Sequence, residues 1–200
     1  MCLVIVVVLT TVVQAQGLIT SVTRRGGSTQ LPPQLGGILQ ESSLALEDRT
    51  HVYKNVPGYL AGIAEYVRID NDDRSTADFL LDLVLSWEAD VYVFIDCRVG
   101  DGEGDNPPTL SDTVMPWVAQ MGFADTGDQI DIDEGNDGDI DQHFRIYKAR
   151  FQAGTVTLKE QNNGGSRNMY GVAAVLIDPT FNPTPEVDIE PEYQLSLIHI

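Results

Sequence analysis

Short segments of alternating apolar residues set the fold class of this 200-residue chain. In residues 77–86, every second position carries a large apolar side chain: Phe79, Leu81, Leu83 and Leu85. A period of two places such a set on one face of a β-strand. Residues 91–96 also alternate, but both of their faces are largely apolar, so we predict that they form a central strand.

Turn-forming residues separate these two segments from further strand-like runs, at 50–54, 59–69, 129–132, 144–151, 155–158 and 169–177. We expect seven to nine short strands in all. Residues 110–122 favour one short helix with Asp112 as its N-cap, and residues 42–48 could add a single helical turn. The sequence therefore predicts an all-β fold: an antiparallel β-sandwich or jelly roll with long acidic loops and at most one or two short helices.

The N-terminal residues 1–15 contain an apolar run, LVIVVVLTTVV at 3–13. Cleavage after Ala15 would place small or β-branched residues at the −3 and −1 positions, which is typical of a secretory signal peptide. Because the run is also rich in β-branched residues, a second interpretation stays open. In this interpretation the segment is a retained strand that adds to the sheet of a neighbouring subunit.

The remaining boundaries follow from composition. Residues 16–48 are rich in Gly, Pro, Gln and Ser, so we predict a linker or an N-terminal arm. Residues 49–178 hold the predicted β-sandwich module. Residues 179–200 are rich in Pro and acidic side chains, which predicts an extended tail. Its last six residues, LSLIHI, do not match this composition and suggest a truncated reading frame.

A formal net charge of −18 limits the partners of the chain. Nucleic acids and anionic membrane surfaces need a basic patch, so we predict neither nucleic-acid binding nor membrane insertion of the mature domain. Divalent cations, neutral glycans and basic proteins are the favoured partners. Together with the apparent signal peptide, the charge predicts a secreted or cell-surface protein.

The charge is concentrated in residues 90–141, which contain fourteen acidic residues and a single base, Arg98. Ca²⁺ takes six to eight oxygen ligands, and closely spaced Asp side chains in a Gly-bent loop can supply them. The alternative is a solvated acidic loop without an ion. The predicted metal ligands are Asp133, Asp137, Asp139 and Asp141, with Asp131 as a possible addition.

Trp117, inside the acidic stretch, is the candidate platform for a glycan. An indole face stacks on the apolar face of a pyranose ring, while nearby polar groups bond its hydroxyls. Arg98, Asn168 and Tyr170 are the candidate polar partners. The alternative is that Trp117 plugs the end of the sandwich core.

Catalytic signatures are missing from the sequence. Its two internal histidines, His51 and His143, stand in neither a zinc motif nor a triad pattern, and no P-loop or nucleophile elbow occurs. Pairs of carboxylates are too common here to indicate glycoside hydrolysis. We therefore predict a non-catalytic protein.

Several strings of the sequence, taken in order, are similar to a β-sandwich module of exported proteins from environmental bacteria. They are EYVRIDNDDRS, VYVFIDCRVGDGEGDNPPTL, MPWVAQMGFADTGDQIDIDEGNDGDIDQ, FQAGTVTL and NNGGSRNMYGV. The module often stands beside glycan-active domains or ahead of a C-terminal Pro-Glu-Pro sorting anchor. The resemblance covers residues 50–179 and implies an exported, non-catalytic module.

These observations predict a subunit of an extracellular assembly, such as a filament, surface layer or matrix, stabilised by Ca²⁺. Self-association would then be its main interaction. A carbohydrate-binding module that contacts a glycan or a cell-surface polymer is the alternative, and an accessory domain of a polysaccharide lyase or hydrolase is a lesser one.

Overall fold

The computed structural model describes residues 17–26, 29–161 and 165–177. The predicted signal peptide or N-terminal strand (1–15) and the predicted tail (179–200) lie outside these residues. The described part forms ten strands. They are β1 (Ile19–Arg25), β2 (Gln34–Ile38), β3 (Val52–Lys54), β4 (Glu65–Arg68), β5 (Leu80–Leu85), β6 (Ala89–Asp96), β7 (Ala124–Asp133), β8 (Gln142–Phe151), β9 (Gly154–Lys159) and β10 (Gly171–Leu176).

Two antiparallel sheets pack together and confirm the all-β sandwich. One sheet has three strands in the order β1-β5-β9, and the other has seven in the order β2-β4-β10-β6-β8-β7-β3. Strand β6 is the middle strand of the larger sheet, as its two apolar faces predicted. Helical structure in the described residues is limited to the 3₁₀ helix Asn71–Ser75 and the α-helix α1 (Trp117–Gln120). Neither helix is long and apolar enough to cross a membrane.

A single apolar core joins the two sheets. The inward side chains of β5, Leu81, Leu83 and Leu85, are fully buried and share this core with both faces of β6. The larger sheet curls around part of the core. Four strands stand between β4 and β3 in the sheet order, yet the rings of Tyr66 (β4) and Tyr53 (β3) lie with centroids 6.1 Å apart. The curl brings Tyr53 close to the start of β10. A Cβ atom on Gly171 would lie 2.2 Å from the Tyr53 hydroxyl, so only glycine fits there.

The prediction of a linker or arm over residues 16–48 is wrong, because this region supplies strands β1 and β2. These two strands belong to the same compact unit as the rest of the sandwich, Gln16–Ile177. The polar residues of β1 and the two glycines of β2 hide the strands from a pattern search. Pairing fixes them instead: Val22 stands opposite Leu83 of β5, and Leu35 opposite Val67 of β4.

Both helix predictions also need correction. Residues 42–48 form no helical turn, because Ser42 has a φ of 64° and Leu44 bridges to Val52. The predicted helix 110–122 shrinks to α1, with Pro116 rather than Asp112 at its N-cap. Before it, Ser111 and Val114 form a β-bridge and Met115 has a φ of 48°, which a continuous helix cannot contain.

Candidate functional site

Asp133, the first of the predicted metal ligands, is held by the backbone of its own loop. Its fully buried carboxylate accepts hydrogen bonds from the amides of Asp137 (3.1 Å) and Gly138 (2.8 Å). The Lys54 Nζ atom lies 3.7 Å from its Oδ2 atom. Loss of water would raise the pKa of Asp133, but these N–H donors outweigh that effect and hold the pKa below its ordinary value.

We expect the loop that follows β7 to loosen only in acid. Because the folded pKa of Asp133 lies below its ordinary value of 3.8, the stabilisation is complete above that pH and is lost as the pH falls through the folded pKa. The backbone ¹⁵N shift of Gly138 should therefore titrate below about pH 4. Asp133→Asn should abolish this titration. A midpoint well above pH 4 would contradict the assigned hydrogen bonds.

The other four predicted ligands also have protein partners. Asp131 contacts Asn55 Nδ2 at 2.6 Å and His143 Nδ1 at 2.7 Å. Asp141 accepts a hydrogen bond from the amide of Glu134 at 2.7 Å. The last pair is internal to the loop, because the amide of Asp139 donates to Asp137 at 3.1 Å. The carboxylates of Asp131, Asp137 and Asp141 are thus bonded within the protein, whereas Asp139 contributes its amide and its own side chain is exposed.

The five predicted ligands share one loop but do not surround a common point. Throughout the described ranges, three carboxylate oxygens come within 4.8 Å of one another only at Asp48, Asp70 and Asp72. Asp70 and Asp72 follow Asp48 by more than twenty residues in the sequence. Their meeting with Asp48 depends on the fold, because the Asp48 carboxylate accepts a hydrogen bond from the Asn71 amide, in the 3₁₀ helix that follows β4.

Arginines already balance much of the charge of this three-carboxylate group. Asp72 pairs with Arg49 at 2.9 Å and with Arg74 at 2.6 Å. Buried Asp70 accepts hydrogen bonds from the amides of Asp72 (2.9 Å) and Leu31 (3.0 Å), so it caps the 3₁₀ helix and anchors the loop before β2. The group can therefore hold a cation only in competition with two guanidinium groups.

Two of the predicted glycan contacts, the platform Trp117 and the polar partner Tyr170, present no face to solvent. Trp117 is 1% exposed, donates from Nε1 to the Glu160 carbonyl at 2.9 Å, and packs against Phe123 and Tyr170. Tyr170 is fully buried and donates its hydroxyl to the Lys159 carbonyl. Of the two interpretations of Trp117, the structure supports the core plug, because a buried indole cannot stack on a sugar ring.

The two other predicted glycan contacts, Arg98 and Asn168, belong to a buried network around Asp96. The Asp96 carboxylate accepts two hydrogen bonds from the Arg98 side chain, at 2.9 and 2.5 Å, and one from the Asn168 amide at 2.7 Å. The Asn168 side chain donates to Glu134 at 2.8 Å. The network joins the end of β6 to the segment before β10, which is a structural role.

A cleft that the sequence did not indicate lies on the larger sheet. It has a volume of about 320 Å³ and is lined by Tyr59, Tyr92, Thr126, Asp128 and Lys148. The two tyrosine rings lie 5.9 Å apart and tilted, and the Tyr59 hydroxyl donates to Asp128 at 3.0 Å. Partial burial, aided by this bond, raises the pKa of Tyr59 to about 12. The cleft thus combines an exposed aromatic ring with charged and polar groups.

A second unpredicted feature is a groove of about 390 Å³ between the two sheets. We call it the edge groove. Its walls come from the edge strands β1 and β2, and its floor from β4; the lining residues are Gly17, Ile19, Thr20, Leu35, Gly37, Ile38, Glu65 and Tyr66. Sequence reasoning missed it because its two walls lie in the segment taken for a linker.

A carboxylate and a glycine shape the edge groove. Glu65 accepts hydrogen bonds from the amides of Leu18 and Ile19, each at 2.8 Å, which fixes the start of β1 against β4. A Cβ atom on Gly36 would lie 2.2 Å from the ring of Tyr66, so glycine lets β2 pass close to that ring. Leu35 and Ile38 remain 45% and 46% exposed.

The only thiol in the described part, Cys97, is buried and unpaired. Burial, with the nearby Asp96 charge, raises its pKa to about 11, so it stays protonated at neutral pH. A protonated, buried thiol is a poor nucleophile. His143 contacts Asp131, but Cys97 is not an activated nucleophile with which this pair could act.

The chain matches no protein-family model, no curated protein and no solved structure. Its fold and site geometry therefore carry the functional argument, and the resemblance to an exported β-sandwich module stays a prediction.

Proposed function

We propose that this protein is an exported, non-catalytic β-sandwich subunit of an extracellular assembly, such as a filament, surface layer or matrix. The edge groove is the observation that carries this proposal. Two edge strands from different sheets face one cleft there, and large apolar side chains stand open beside it. Unpaired strand edges are templates for pairing with another chain.

Pairing in the described residues leaves both walls of the groove with a free edge. Strand β1 pairs with β5 on one side, and β2 pairs with β4 on one side. Proteins that stay monomeric commonly protect such edges with charges, whereas Leu35 and Ile38 offer apolar side chains. Self-association would cover these side chains and satisfy the free backbone groups.

Electron microscopy of the purified chain, with residues 1–16 retained, tests the proposal. We expect regular particles or filaments whose abundance grows with protein concentration. The same preparation should be checked by intact mass, so that loss of the N-terminal segment is recognised. Dispersed particles of monomer size at all concentrations would contradict the proposal.

Calcium stabilisation remains part of the proposal, now as a weak site at Asp48, Asp70 and Asp72. Competition from Arg49 and Arg74 leads us to expect a dissociation constant of about 10⁻³ M. About 10 mM Ca²⁺ should then add about 1.4 kcal/mol and raise the Tm by roughly 3–5 °C over that in EDTA. Differential scanning calorimetry measures this difference.

Two variants locate the calcium effect. Asp72→Asn should remove the difference between Ca²⁺ and EDTA, while Asp139→Asn, which changes an exposed acid of the originally predicted loop, should keep it. An equal Tm in Ca²⁺ and EDTA for the unmodified protein would remove calcium from the account.

Carbohydrate binding is the second candidate function, and the tyrosine-lined cleft favours it. The exposed ring of Tyr59 can stack on a sugar, while Asp128 and Lys148 can bond hydroxyl groups. On a glycan array, Tyr59→Ala should weaken any bound signal about tenfold or more, and Trp87→Ala, at another half-exposed aromatic residue, should not. An array without signal for the unmodified protein would leave this candidate without support.

A further inference from the structure

We infer that the edge groove receives residues 3–13 of a second copy of this chain, which add to the sandwich as a strand. This inference rests on the proposed assembly function and on the second interpretation of residues 1–15, a retained strand, and it identifies the partner of the groove. The segment would pair through its backbone with a strand edge and would bury its apolar side chains in the groove.

The groove offers both parts of such a site. The edges of β1 and β2 that pair with no described strand supply backbone donors and acceptors, except the Leu18 and Ile19 amides that Glu65 already bonds. Ile19, Leu35, Ile38 and the Tyr66 ring supply an apolar lining. Strand β2 is five residues long, about 17 Å, and eleven extended residues would span about 36 Å. The segment 3–13 is therefore long enough to follow the full length of this edge.

Charge selects the same segment. Residues 1–16 contain no Asp, Glu, Lys, Arg or His, although the whole chain carries a formal charge of −18. Any charged segment of a second copy would carry mostly acidic groups towards an acidic protein, at an electrostatic cost. The uncharged run LVIVVVLTTVV avoids this cost, and its β-branched residues favour the extended state.

Apolar residues on both faces of the segment favour a second copy over the same copy. A segment that folded back along β1 of its own copy would have to leave one apolar face beside exposed Ser21, Thr23 and Arg25. The chain that enters the described part at Gly17 already starts at the mouth of the groove.

This contact is head-to-tail, because the donor segment and the acceptor groove are different surfaces. Repetition of a head-to-tail contact builds a ring or an open filament rather than a closed two-fold dimer. A chain with a damaged donor segment and an intact groove should therefore bind a chain with an intact donor segment and a damaged groove. The product should be a dimer, because neither remaining surface can bind a further copy.

A complementation experiment tests the inference. The donor-defective chain carries Val6→Asp and Val8→Asp, and the groove-defective chain carries Leu35→Glu and Ile38→Glu. Both keep residues 1–16, as checked by intact mass. Ile63→Glu is the matched control, because Ile63 is a 55% exposed apolar residue that does not line the groove.

Light scattering of each chain alone should give the mass of one copy, and an equimolar mixture should give twice that mass. The Ile63→Glu control should assemble like the unmodified chain. Circular dichroism should show the same strand signal in all chains, since the substituted groove residues are half exposed. As a measurement without substitutions, hydrogen exchange at the amides of β2 should be at least tenfold slower in assembled than in dissociated protein.

The outcomes separate this inference from the proposed function. If the unmodified chain assembles but the two defective chains also assemble, or β2 amides gain no protection, the inference is overturned and the assembly function stands. Monomeric defective chains that do not combine would indicate that the segment fills its own groove, which also overturns the inference. Cleavage after Ala15 in the exported protein would also overturn the inference, because it removes the donor segment. A monomeric unmodified chain with residues 1–16 intact would overturn both.

Discussion

Replacing Trp117 with alanine is expected to lower the free energy of unfolding by about 3–5 kcal/mol. The indole is 1% exposed and packs against Phe123 and Tyr170, with centroid distances of 6.0 and 5.6 Å. Alanine would leave a large cavity there and would also leave the Glu160 carbonyl without its indole donor. Urea denaturation followed by far-UV circular dichroism measures the loss.

Trp87→Ala is the matched control for this substitution. Trp87 is 39% exposed, so its removal should cost no more than about 1.5 kcal/mol, well below the cost at Trp117. Equal and small losses for the two variants would contradict the placement of Trp117 in the core.

Asp96→Asn is expected to cost about 3–5 kcal/mol, the second large effect. The buried Asp96 carboxylate accepts hydrogen bonds from the Arg98 side chain, the Arg98 amide and the Asn168 amide. An asparagine would turn an NH₂ group towards these donors and leave the largely buried Arg98 guanidinium with only Glu134, at 4.0 Å, as a counter-charge. Urea denaturation again provides the measurement.

A surface ion pair provides the control for Asp96. Asp125 contacts Arg145 at 2.6 Å, but its side chain is partly exposed, so Asp125→Asn should cost less than about 1 kcal/mol. If Asp96→Asn cost as little as Asp125→Asn, the network would not hold the end of β6 as described. The segment before β10 should respond too, with faster hydrogen exchange at Asn168.

Local pattern predicted those strands whose burial follows from alternation alone. Strands β5 and β6 lie where their apolar periods placed them, and the central position of β6 followed from its two apolar faces. Strand β1 was missed because its β-branched residues are interrupted by polar side chains without an apolar alternation, and β2 because it contains two glycines. They are extended because β5 and β4 lie beside them, which is information from distant parts of the chain.

The candidate site shows the same limit. Closely spaced aspartates indicate a need for positive partners, but spacing cannot tell whether a cation or backbone N–H groups will meet that need. At Asp133, the amides of Asp137 and Gly138 do so. The group that does gather oxygens joins Asp48 to Asp70 and Asp72 across a gap of more than twenty residues, which only the fold reveals.

Trp117 illustrates the limit for a single side chain. Its sequence context fits both a sugar platform and a core plug, and the decision depends on Tyr170, a residue 53 positions later in the chain. The edge groove likewise needs β1, β2 and β4 to meet, and two of these strands were unpredicted. The sequence contains Leu35 and Ile38, but it does not indicate that they are exposed or that they lie beside a sheet edge.

Sedimentation velocity over a hundredfold range of concentration tests the assembly claim most directly, on the full chain with residues 1–16 verified by mass. We predict that the sedimentation coefficient rises with concentration and that Leu35→Glu with Ile38→Glu abolishes the rise, while Ile63→Glu does not. A single monomer-sized species at every concentration of the unmodified chain would contradict the account.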